Sequence, residues 1–471
     1  MTRPDRTGLP ITSGPIPLLV RRIALPSATA MAAQTVFNLT NSYWAGTWST
    51  EALAALATAF PVFFTIIAAT FGFSQGTAAL VSHELGAGRP EEARRVWAHA
   101  IGLALLAGLV IAGAGAAAAP ALSALLGARG VVLDLTLVYL VPLLASAPLF
   151  LLAAVANAAL TATADTRSLR DAVLTTTAAN VGLVPLLMYG IGGVPPLGVT
   201  GIAASHVVVQ IAQFAWLAGR ASRIPFVAGL DRALREPDLR LAGRVLAQVV
   251  PNTLTLMTTG VGLAIVTGFV GRYGPAAVAA YGVALRIEQL VLLPALGLNA
   301  ATVALVGQNL GAGRLDRVRR AAATTLGSGV AVMVLGALLV FLSREPLLAL
   351  FSDDRAVLSL GALYLEFAVL AFPAYAVVVL GAGVLQGLRR PVPALLVGIG
   401  RHLVAPPLVL WFFDVGLGLG FAGIALAVPT VAWAGAAASG ILVVRLLPRT
   451  ADQAAARRPS RRTRSASGWE A

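Results

Sequence analysis

Apolar runs of roughly 20 residues recur along the whole chain, broken by short polar segments, and each is long enough to cross a hydrocarbon core. The runs are continuous rather than alternating, so they predict helices and not the strands of a barrel. Twelve spans are expected, at about 25–45, 52–80, 96–118, 131–160, 172–190, 199–219, 247–270, 277–305, 321–342, 356–385, 393–412 and 421–445. The predicted fold is an all-α polytopic membrane protein.

The polar breaks repeat. Leu80 to Arg95 reads LVSHELGAGRPEEARR and Leu305 to Arg320 reads LVGQNLGAGRLDRVRR, an offset of 314 − 89 = 225 residues. The same offset pairs Gly72 with Gly297, Pro26 with Pro251 and Pro148 with Pro373. A period this long means two copies of one unit rather than a solenoid. The expected divisions are a cytoplasmic segment 1–22, a first lobe 23–219, a cytoplasmic linker 220–246, a second lobe 247–446 and an Arg-rich disordered tail 447–471. Six spans per copy make the halves a parallel repeat, inserted the same way up around a central cleft. Rocking of two such lobes would expose that cleft to each side in turn, which is the physical reason to expect a transporter.

Composition narrows the chemistry. The chain is 58% hydrophobic and 11% charged, with no Cys and four His. No thiol chemistry, metal or other cofactor is implied, and an integral membrane enzyme lacks the clustered acids or His it would need. The net charge of +14 comes from Arg alone, and about 28 of the 34 fall on one side of the expected spans. That asymmetry is the positive-inside signal, not a nucleic-acid footprint. It puts both termini in the cytoplasm. Arg22 stands too close to Ser27–Ala30 for a signal peptide's apolar core. Linker residues 220–244, with six Arg, are expected to include a short amphipathic surface helix. Asp134, Asp353, Asp354 and Asp414 fall at outer ends, where solvation is expected, and Tyr43, Trp44 and Trp48 suit interfacial anchoring.

Together, the tandem halves with an early Pro, the Leu-Gly-Ala-Gly-Arg loops, Ala164-Asp165-Thr166-Arg167, Ala284-Leu285-Arg286-Ile287-Glu288 and Gly383-Val384-Leu385-Gln386-Gly387 resemble the multidrug and toxic compound extrusion (MATE) family. The likeness covers about Arg22 to Leu446 and feels nearest to the bacterial DNA-damage-inducible-protein-like branch. It implies twelve helices in two bundles in a bacterial inner membrane, export of small amphipathic or cationic organic substrates, and exchange against H⁺ or Na⁺. The chain departs from the family where relatives carry first-lobe acids: Asn41 stands in span one and Val184 in span five, while Asn180 is kept and His206 replaces a small hydroxyl residue.

Four charges lie within second-lobe spans: Arg286, Glu288, Glu366 and Arg401. Charges at that depth face protein or water. Arg286 and Glu366 are about equally deep and are expected to form a structural ion pair. Glu288 is then the coupling candidate, able to trade a proton for substrate, unless it pairs structurally with Arg401. In the first lobe, His206 near Asn41 and Asn180, with Gln34 two turns before Asn41, is a second candidate for proton work. The alternative is a His hydrogen-bonded between helices. His83 and Glu84 are expected to pack or cap the repeated loop. Phe60, Phe63, Phe64, Met257 and Tyr375 are candidate cleft walls. Two further readings stay open: a flippase for lipid-linked precursors, and a membrane scaffold that has lost transport.

Overall fold

The computed structural model describes residues 11–190, 195–234, 236 and 238–448. The expectations for 1–10 and for the tail past 448 lie outside the described residues. Among these residues there is no strand. The first copy comprises α1 (Ile16–Trp48), α2 (Thr50–Gly86), α3 (Pro90–Leu125), α4 (Gly130–Ala145), α5 (Ala147–Ala162), α6 (Arg167–Tyr189) and α7 (Val199–Ala221). After the short α8 (Leu230–Leu234), the second comprises α9 (Leu239–Val270), α10 (Pro275–Gly311), α11 (Leu315–Ala349), α12 (Arg355–Ala368), α13 (Phe372–Gly387), α14 (Pro391–Ile399), α15 (Ala405–Trp411) and α16 (Gly420–Leu446). Among the described residues, eleven continuous helical segments are long and apolar enough to span a membrane, and α4 with α5, bent by 45°, makes the twelfth. At 37 residues, α2 and α10 are about 55 Å long and overshoot a core of about 30 Å.

Proline sets the breaks. Pro142 and Pro148 flank the bend at Ser146, whose hydroxyl bonds the Leu143 carbonyl at 2.8 Å. The repeat partner of Pro148, Pro373, follows the 3₁₀ turn Val369–Ala371 that interrupts span ten. Span eleven passes through two π-helical segments, Gly400–Val404 and Phe412–Gly416. Pro406 and Pro407 cannot donate to the carbonyls one turn back, which favours the wide turn just before them. The linker differs from expectation. Five-residue α8 is too short to present an apolar face, and the linker is instead tied down by Arg94 Nε to the Phe226 carbonyl (2.9 Å) and by Asp238. Asp238 caps α9. Its carboxyl is held below the usual range chiefly by the Leu241 N–H, helped by the Arg240 N–H and by Arg95.

The two copies meet through small residues in reciprocal contacts. A Cβ on Gly72 of α2 would strike Thr253 and the backbone at Val249 of α9. A Cβ on Gly297 of α10 would strike Ala24 and Ala28 of α1. These are the same contacts displaced by 225 residues. Likewise Gly86 abuts Gln308 while Gly311 abuts His83. Such reciprocity requires a pseudo-two-fold axis between the copies. Substituting Gly86→Val is expected to part the lobes at this point and to cost about 1–3 kcal/mol through overpacking of a backbone–backbone contact. Thermal unfolding in detergent should show the loss, whereas Gly102→Val, where a Cβ meets open space, should not.

All these contacts lie toward the Arg-rich end of the molecule, and the same faces separate toward the other end. On α10, the stripe that buries Gly297, Ala301 and Ala304 continues upward through exposed Leu290, Arg286 and Ala279. On α1, the stripe of Ala24 and Ala28 continues through exposed Asn38 and Ser42. Between α2 and α9, contact extends to Phe64 against Gly260, beyond which Pro61, Ala57 and Ala54 are exposed. The lobes therefore form a cleft, sealed at the Arg-rich end and open at the Arg-poor end.

Candidate functional site

The second lobe holds a cavity of about 150 Å³ behind α10, on the side away from the cleft. Glu288 faces it. Nine residues before Gly297, it lies on the opposite face of the helix, about 180° around. The hydroxyl of Tyr375 on α13 reaches Glu288 Oε2 at 3.4 Å, and Oε1 has no protein hydrogen-bond partner among the described residues. Tyr364 on α12 stacks edge-on against Tyr281 of α10 with ring centroids 5.2 Å apart. From the first π-helical turn, Arg401 places its guanidinium 4.7 Å above the Tyr375 ring. Beside it, His402 Nδ1 and Thr258 Oγ1 are 3.2 Å apart. Glu288 and Arg401 thus line one cavity without forming an ion pair; Tyr375 stands between them, touching both. A buried carboxylate with an unmet oxygen can be satisfied by a proton or by a bound cation.

In the first lobe Asn180 Nδ2 donates to Asn41 Oδ1 at 2.8 Å, joining α6 to α1, and Thr177 bonds the Ala33 carbonyl one turn below. His206 of α7 is buried among three rings, with centroids to Phe37, Phe63 and Phe150 at 4.8, 5.5 and 5.7 Å. Its Nδ1 has no hydrogen-bond partner among the described residues. The contacts at His206 are therefore with rings; none of the recorded hydrogen bonds joins it to Asn41 or Asn180. Gln34 is exposed, and among the described residues no hydrogen bond joins it to that amide pair.

Several expectations need correction. Arg286 and Glu366 are both exposed, and no ion pair joins them among the described residues. Matching depth was not enough. Arg286 points about 200° away from Glu288, and Glu366 about 200° away from Tyr364, so both turn their backs on the lobe interior. The aromatic candidates also divide. Phe60 is exposed, and Phe64 and Met257 are half-buried; Phe63 packs on His206 and Tyr375 on Glu288, inside the lobes. Asp414 is buried, not solvated: it takes Arg272 at 2.9 Å and a short hydrogen bond from Tyr273.

A third cluster seals the Arg-rich end. Glu84, 1% exposed, receives Arg89 at 2.6 Å from its own loop, Arg244 at 3.2 Å from α9 and Arg389 at 3.7 Å from the loop after α13. Arg389 is placed by a left-handed backbone, φ 60°. One carboxylate so fastens the two lobes. At the matching position of the second copy, Asn309 holds Arg317 at 3.0 Å. His83 and Gln308 occupy the reciprocal contacts, and Gln308 also reaches the Ala162 carbonyl across the interface.

Two six-span lobes around a one-ended cleft are the architecture of a membrane transporter. A family model described as MatE matches the chain twice, over residues 26–186 and 251–411, and the two starts differ by the repeat offset, 251 − 26 = 225. The chain belongs to the MatE family. It is 28% identical over 405 residues to a protein of Shewanella oneidensis named "FAD transporter", covering 84% of this chain and 87% of that one. It is 26% identical to the "Probable multidrug resistance protein YoeA" of Bacillus subtilis, covering 71% and 73% of the two chains. Among solved structures, one described as MATE in the straight conformation superposes with a TM-score of 0.86 at 22% identity, covering 93% of this chain and 98% of that chain.

Proposed function

We propose that this protein is a secondary active exporter in which H⁺ entry at Glu288 drives substrate exit from the inter-lobe cleft. The observation that carries this reading is a lone, buried carboxylate with an unmet oxygen facing a cavity, on the same helix that lines the cleft. A proton suits it better than Na⁺: the cavity contains a single carboxylate, and nowhere among the described residues are three or more His, Asp or Glu gathered as a metal site. The positive-inside rule puts the Arg-rich end in the cytoplasm, so the sealed face is cytoplasmic, the cleft faces outward and both termini lie inside. A bacterial inner membrane fits the bacterial relatives.

Exchange of H⁺ for small amphipathic or cationic organic molecules is the reading the family likeness supports, with Phe60, Phe64 and Met257 as apolar wall. Efflux of a fluorescent amphipathic substrate, cationic ethidium or anionic carboxyfluorescein, from cells overproducing the protein tests the coupling. Efflux should stop when a protonophore collapses the gradient and resume when it is removed; efflux that ignores the protonophore but needs Na⁺ would contradict H⁺ coupling. A second reading has a specific observation behind it. The Shewanella oneidensis relative is named for FAD, which carries phosphates, and Arg286 is a cation on the cleft face.

A further inference from the structure

The four helices whose faces meet between the lobes are α1, α2, α9 and α10. Their charges are few. Apart from the arginines and Glu84 near the sealed end and Glu51 in the first turn of α2, they carry Arg286 and Glu288 alone. Glu288 turns into the second-lobe cavity. Arg286 turns the other way. It is eleven residues from Gly297, three turns and about 20°, and so lies on the stripe that Gly297 packs against α1. At Gly297 that stripe is buried; at Arg286 it is exposed. The register of Gly297 with Ala24 and Ala28 brings Arg286 level with Asn38, also exposed, with Ser42 one turn above. Among the described residues no carboxylate pairs with Arg286.

The other wall is different. The repeat partner of Arg286 is Pro61, which is exposed on the facing wall. Phe60 and Phe64 flank Pro61 on α2, their rings 5.9 Å apart. One wall thus offers a single cation with an amide and a hydroxyl, and the facing wall offers aromatic and aliphatic surface. An unpaired guanidinium in a water-filled cleft with low-dielectric walls attracts anions and repels cations. Its planar fork matches a carboxylate or a phosphate.

We infer that the outer cleft selects amphipathic organic anions, with the carboxylate or phosphate of the substrate on Arg286 and its apolar body against Phe60, Pro61 and Phe64. This rests on the alternating-access reading above and replaces the cation in it by an anion.

The chain has no cysteine, so Asn38→Cys supplies a unique thiol beside Arg286. Its labelling rates by an anionic and by a cationic methanethiosulfonate are measured in proteoliposomes, each divided by the rate with a free thiol in solution. The anionic reagent should be favoured by roughly tenfold, the low end of focusing in such clefts. The preference should vanish in Asn38→Cys/Arg286→Gln and persist in Asn38→Cys/Arg286→Lys. Carboxyfluorescein or 1-naphthyl phosphate should slow labelling, and whichever protects better identifies the acidic group. Labelling with no charge preference, or protection by ethidium alone, would overturn the anion assignment while leaving an open cleft and a transporter. A thiol that neither reagent reaches would overturn the open cleft itself, and this inference with it.

Discussion

Glu288→Gln should fold, reach the membrane and fail to couple transport to a pH gradient. The amide keeps the shape of the side chain and can still accept from Tyr375, but it neither takes up nor releases a proton. Substrate movement driven by a pH jump in proteoliposomes is expected to fall roughly tenfold or more, because no other carboxylate lines the cavity to take over the work. Passive exchange of substrate down its own gradient should survive, since the cleft lies on the other face of α10. That split separates a coupling role from a structural one. Wild-type pH-driven transport by the Gln variant would end the case for Glu288. Tyr375→Phe should give a milder fall, because it removes the hydroxyl that touches the carboxylate but leaves the ring beneath Arg401.

Glu84→Ala is expected to loosen the seal at the Arg-rich end. The side chain is buried and three arginines converge on it, two of them from the second lobe. Without it Arg89, Arg244 and Arg389 face one another unpaired. Breaking a buried pair costs about 3 kcal/mol at the low end of its range, which applies here because the arginines remain partly hydrated. The equilibrium should move toward a state open at the Arg-rich end. In the cysteine-free chain, Ser82→Cys at the seal should react with N-ethylmaleimide much faster when Glu84→Ala is added. An unchanged rate would mean that small-residue packing alone closes this end. Glu84→Asp, shorter but still charged, should restore part of the protection.

α10 joins these behaviours. Glu288 on its back and Arg286 on its front are two residues apart, so one rigid helix carries both the proposed proton-binding group and a cleft wall. Change of charge in the cavity alters what Tyr375 and Arg401 hold, and the helix that would respond is the one packed through Gly297 on the other lobe.

Much of this architecture could be read from the chain. The 225-residue offset of Gly72 and Gly297 was legible as a repeat, but that both are small so that the partner lobe's backbone can approach emerged only from the structure. Pro148 and Pro373 were legible as repeat partners, while the breaks beside them in spans four and ten, where proline cannot continue the hydrogen-bond ladder, appeared only in the structure. Glu288 stood out as an acid at depth. Three things were hidden. The depth of Arg286 and Glu366 was legible but their direction around the helix was not, so they were wrongly paired. Glu84 looked like a loop residue because its partners Arg244 and Arg389 are 160 and 305 positions away (244 − 84 and 389 − 84) and only folding gathers them. Tyr281 and Tyr364 carried a signal that could have been used: Tyr281 lies two turns before Glu288 on the same face. The surroundings of His206 could not be foreseen, as its three rings come from three different helices.

Alternating access is tested most directly by two distances measured in one sample set by spin-label spectroscopy. One pair, Ala54→Cys with Gly271→Cys, continues the α2–α9 register to the open end; the other, Pro90→Cys with Asp316→Cys, flanks the repeated loops at the sealed end. On imposing a pH gradient with substrate, the first distance should shorten while the second lengthens. Two distances that stay fixed, or that change in the same direction, would contradict lobes rocking about a shared cleft.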